Sequence, residues 1–72
     1  MKDLTARSRG IQSLETGLGV LAALAACRGP ATLSAVAQAA DMSASQAHRY
    51  LASLIAAGMA RQDARSGLYD LD

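Results

Sequence analysis

One histidine and one cysteine are all that this 72-residue chain offers of the side chains best suited to catalysis or metal binding. A catalytic or metal-binding histidine needs a carboxylate, a thiolate or a second histidine arranged beside it. His48 has no obvious partner of that kind, and Cys27 alone supports neither an internal disulfide nor a cysteine-based metal site. There is no glycine-rich phosphate loop, no pair of carboxylates and no nucleophile–base arrangement. The residues therefore argue against an enzyme, and no cofactor or metal is expected. What remains is SASQAHRY, residues 43–50, which brings together Ser43, Ser45, Gln46, His48 and Arg49. Glutamine can meet adenine in two places, arginine can meet guanine or phosphate, and serine can meet either. The same side chains also suit an ordinary solvated helix face. The elements around them decide which reading is better.

Those elements follow from periodicity. From Ile11, apolar residues return at Leu14, Leu18, Leu21 and Ala25, with Leu24 beside them, drawing a stripe down a helix from about Gln12 to Ala26. Gly17 and Gly19 weaken that helix by roughly 1 kcal/mol each relative to alanine, which suggests a close approach there. Arg28-Gly29-Pro30 stops it. Ala31 to Leu33 reads as a minimal extended link. Ser34 is then the expected cap of a short helix through about Ala40, with Leu33, Val36, Ala37 and Ala40 on one face. Asp41-Met42-Ser43 forms a turn in which aspartate tolerates the left-handed conformation. Ser43 caps a third helix ending at Gly58, with Ala47, Leu51, Leu54 and Ile55 pointing inward. Ser45, Arg49 and Ala56 then point directly out, with Gln46 and Ser53 at the edge of that face. Segments 59–62 and 68–71 have strand character, and Asp63 and Gly67 bracket the connection between them, so they form a hairpin.

Helix, link, helix, tight turn, helix and hairpin is the order of a winged helix-turn-helix, a mainly α fold of three helices plus a small β wing. On it, residues 43–58 are the element suited to a major groove, and the wing, residues 59–71, can touch the flanking backbone. Arg65 at the wing tip is the better phosphate candidate, and Arg61 suits a solvated strand. His48, on the helix flank, fits structural packing or capping as well as a phosphate contact. Tyr69 is expected under the wing and Cys27 as a helix-end filler.

Composition sets the limits. The chain is half hydrophobic, with two tyrosines and no other aromatic residue, so its core consists of closely approaching alanine-rich helices of modest stability. A formal net charge of +1 is too small to argue for nucleic acid alone. Residues 1–10 read as a flexible basic arm carrying Lys2, Arg7 and Arg9, able to follow phosphates or a minor groove, and residues 11–72 as the folded domain. No stretch approaches the ~18 apolar residues of a membrane span, and the single cysteine fits a reducing cytoplasm.

IQSLETGLGVLAALA, TLSAVAQAADMSASQAHRYLASLIAAGMARQD and SGLYDLD together resemble the amino-terminal domain of the IclR family of bacterial transcription regulators, from about Gly10 to Asp72. The resemblance implies a winged helix-turn-helix that binds double-stranded DNA, with Ser45, Gln46 and Arg49 at contact positions. It also implies a homodimer on a palindromic operator and a carboxy-terminal domain, absent from this chain, that binds small-molecule effectors. Ala44 and Leu68 stand where many relatives carry basic residues, which implies weaker DNA affinity. A winged-helix module that binds protein and no DNA is the competing reading, favoured slightly by the low net charge. The first helix carries more apolar surface than one small domain can cover, so it is expected to pair with its counterpart in a second copy.

Overall fold

The computed structural model describes residues 10–72, and the arm cations Lys2, Arg7 and Arg9 lie outside the described residues. Three helices, α1 (Gln12–Ala26), α2 (Leu33–Ala39) and α3 (Ala44–Ala56), precede two strands, β1 (Ala60–Gln62) and β2 (Tyr69–Leu71). The strands form an antiparallel hairpin in the register Ala60↔Leu71, Arg61↔Asp70 and Gln62↔Tyr69. Ala31 joins the sheet through a single bridge to Tyr69, exchanging both backbone hydrogen bonds at 2.8 Å. The result is a winged helix-turn-helix.

Helix ends are set locally. Ser43 caps α3, its Oγ accepting from the Gln46 amide at 3.1 Å. At α2 the cap is Thr32, whose Oγ1 accepts from the Ala35 amide at 3.0 Å, and not the expected Ser34, which lies inside the helix. The bridge from Ala31 holds the chain extended up to that point, so Thr32 is the first residue from which a helix can start. Two helices finish in the same way. Met42 donates to the Ala37 carbonyl after α2, and Met59 to the Leu54 carbonyl after α3. Between each helix and its closing donor stands one left-handed residue, Asp41 (φ 57°) and Gly58 (φ 79°) respectively. This is the Schellman arrangement, which satisfies the last free carbonyls. It ends α3 at Ala56, short of the expected Gly58.

The core is small and aliphatic, with Val20, Leu24, Val36, Leu51, Leu54 and Tyr69 at its centre. Ala47, Leu51 and Leu54 line the inner face of α3 as the spacing implies, and Ile55 is half-buried at its edge. α1 splits its expected apolar stripe. Its buried residues are Val20, Ala23 and Leu24, whereas Ile11, Leu14 and Leu18 are 65%, 58% and 46% exposed and Ala25 is exposed too. At about 100° per residue, Val20 lies opposite Leu18 and Ala25. The apolar residues of the helix thus divide between two faces: Ile11, Leu14 and Leu18 lie on the outer one, while Val20, Ala23 and Leu24, with half-buried Leu21 beside them, meet the core. Tyr69 is buried beneath the wing, and half-buried Cys27 packs at the end of α1.

Candidate nucleic-acid interface

α2 and α3 are joined by the four residues Ala40, Asp41, Met42 and Ser43. The left-handed Asp41 reverses the chain, half-buried Met42 anchors the turn against the core, and Ser43 opens α3. The reversal leaves one side of α3 exposed among the described residues. Ser45, Gln46, His48 and Arg49 are exposed there, and their side chains form no hydrogen bond with another described residue. Ser43 is exposed as well, but its oxygen already serves as the helix cap. Of the described residues, α3 itself carries His48 and Arg49 and no carboxylate. The side chains present donors, an amide and a cation on a rigid element, with small Ala44 and Ala52 beside them.

The wing has its own internal order. Asp63 Oδ2 accepts from the backbone amides of Arg65 (3.1 Å) and Ser66 (2.7 Å), and its backbone accepts from Gly67 at 2.8 Å. The bonds to its carboxylate, led by that from the Ser66 amide, hold the Asp63 side chain below the usual carboxylate range. Gly67 at φ 78° completes the turn, and Gln62 Nε2 donates to its carbonyl at 3.0 Å. Arg65 is therefore exposed at the tip of a hydrogen-bonded loop. Arg61, by contrast, faces half-buried Asp70 across the strands at 3.9 Å, a long surface pair of little energetic weight that lowers the wing's free positive charge.

The structure places Ser45, Gln46, His48 and Arg49 on α3, Ser43 at its cap and Arg65 apart on the wing. It also reveals something absent from the sequence reading. Gln46, Arg49, Tyr50 and Ser53, spaced i, i+3, i+4 and i+7, line one wall of a cleft of about 250 Å³ whose other wall includes Ser13 of α1. Helical spacing groups the first four. Ser13 joins them only through the docking of α1 on α3, which local sequence does not encode. Among the described residues no cluster of His, Cys, Asp and Glu is arranged to hold a metal ion, and no helix is long and apolar enough to cross a membrane.

Comparison with known proteins agrees with this geometry. The sequence profile of the IclR helix-turn-helix domain matches residues 13–64. The chain is similar to the crystal structure of Pseudomonas aeruginosa HmgR, with 44% identity and a TM-score of 0.81, over 85% of this chain and 25% of that one. It is also similar to the crystal structure of an IclR family transcriptional regulator from Brucella abortus, with 30% identity and a TM-score of 0.78, over 89% of this chain and 24% of that one. The chain thus spans about a quarter of the length of both. No curated protein matches its sequence. With a profile covering most of the chain and two solved relatives sharing its fold, this protein belongs to the IclR helix-turn-helix family.

Proposed function

We propose that this domain binds duplex DNA sequence-specifically, as the DNA-binding domain of an IclR-type bacterial transcription regulator working in the cytoplasm. The observation that carries the reading is the uncovered face of α3, where Ser45, Gln46, His48 and Arg49 stand exposed without intramolecular side-chain partners among the described residues. α3 enters the major groove, the wing lies along the backbone, and Arg65 meets phosphate. The arm and the domain division at residue 10 belong to the same reading. A small-molecule effector acts through a further domain and not through this one. Selecting duplexes from genomic fragments at low and moderate salt is the test. Retention of a defined set of sequences supports the reading. If the folded domain retains none even at low salt, the reading fails and a protein-binding winged helix replaces it.

The exposed Ile11, Leu14 and Leu18 support a second part of this reading, that α1 meets its counterpart in a second copy. A two-fold pair would present two copies of α3 to a palindromic site, with half-sites about 34 Å apart. Sedimentation at high concentration and on DNA checks it, and monomers in both conditions would refute it.

A further inference from the structure

The cleft between the start of α1 and α3 has chemistry of its own. Among the described residues its lining is Ser13, Gln46, Arg49, Tyr50 and Ser53: one cation, four neutral hydrogen-bonding groups and no carboxylate. The larger cleft on the wing contrasts with it, since Arg61 there shares the lining with Asp63 and Asp70. Among the described residues, then, only the α1–α3 cleft of these two offers a net positive, donor-rich surface. Glu15, the acidic residue in the first turn of α1, lies on the other side of that helix from Ser13, with its carboxylate against Gly10.

Tyr50 sets the shape of the cleft. A Cβ at Gly17 would stand 3.5 Å from the Tyr50 ring, so the ring lies directly against the bare backbone of α1. Ser13 is one turn before Gly17 on the same face, and Arg49 adjoins Tyr50 on α3. The ring thus closes against α1 where Ser13 and Arg49 also line the cleft. At about 250 Å³ the space is smaller than the ~300–1,000 Å³ of typical small-molecule sites. It suits a charged group projecting from a larger molecule.

We propose that this cleft seats one backbone phosphate of bound DNA, with Arg49 as its cation and Ser13 and Ser53 as hydroxyl donors. The inference rests on the DNA-binding reading and adds to it a contact from α1. It assigns Arg49 to holding the backbone, which leaves base reading to Gln46 and Ser45. A phosphate contact weakens every sequence alike when lost, whereas a base contact changes preference.

The test uses fluorescence anisotropy with a selected duplex and a scrambled one, across a salt series, after circular dichroism has shown each variant folded. Arg49→Ala should weaken both duplexes by the same factor, about tenfold, and reduce the salt slope by about one counterion. Ser13→Ala should weaken both equally by a smaller factor, with the slope unchanged. A series of duplexes carrying one neutral methylphosphonate each should contain a position that weakens the parent but not Arg49→Ala. If Arg49→Ala alters preference at a base pair with an unchanged slope, or Ser13→Ala binds as the parent does, the phosphate seat is wrong while DNA binding stands. If the folded parent binds neither duplex, the DNA-binding reading itself is wrong.

Discussion

Gly19→Ala should make this domain more stable, although glycine within an apolar helix invites the opposite expectation. Gly19 lies inside α1 and is not among the residues with positive φ, so alanine can adopt its backbone conformation. A Cβ built there meets no heavy atom within 4 Å. Nothing within the described chain therefore offsets the propensity gain of about 0.8–1 kcal/mol. For a domain of 60–100 residues, 1 kcal/mol corresponds to ~4–8 °C in melting temperature. Melting followed by circular dichroism in dilute protein should show a rise of several degrees. Repeating the melt and sedimentation at high concentration separates the chain's own stability from self-association, which the added methyl hinders if a second copy approaches at Gly19. An unchanged or lower Tm in dilute protein would refute the outward placement of this residue.

Three further outcomes follow from the same fold. Leu24→Ala, at a residue 1% exposed, should cost ~2–5 kcal/mol, whereas Leu14→Ala, at one 58% exposed, should cost well under ~1 kcal/mol; equal costs in urea melts would contradict the assignment of the two faces of α1. Asp41→Gly should stabilise and Gly58→Ala destabilise, each by about 1 kcal/mol, because both positions hold left-handed backbone; the sign of the two Tm shifts checks this. The lowered pKa of Asp63 means that its contribution is complete above the usual carboxylate range and is lost as pH falls through the lowered value, so acidification below about pH 4 should loosen the wing. The amide resonances of Arg65 and Ser66 report it, and they should stop titrating in Asp63→Asn.

Features decided over a few residues were legible in the sequence. Ser43 as a cap, Asp41 as the left-handed turn residue and Gly67 in the wing loop each depend on neighbours no more than a few positions away. Thr32 and Ser34 are both competent caps in one short stretch, and the choice between them is made by the pairing of Ala31 with Tyr69, a contact across 38 positions (69 − 31). The face of α1 was obscured for a different reason. Its large residues divide between two faces, Leu14 and Leu18 looking outward and Val20, Leu21 and Leu24 toward the core, so size alone did not separate them. Gly17 did mark a close approach, against Tyr50, but Gly19 faces open space. Of the candidate site, the α3 face was readable from 3.6-residue periodicity. Ser13 was not, because its place in the cleft depends on how two helices dock.

The central claim is that α3 reads DNA, and one comparison tests it most directly. Affinity of the parent, Gln46→Ala and Arg65→Ala should be measured on a selected duplex and on single-base variants of it across a salt series. Gln46→Ala should lose about 1–3 kcal/mol on the selected duplex and relax preference at one or two base pairs. Arg65→Ala should weaken all duplexes alike and reduce the salt slope by about one. If Gln46→Ala binds every duplex as the parent does, the exposed face of α3 is a solvated surface and the account is contradicted.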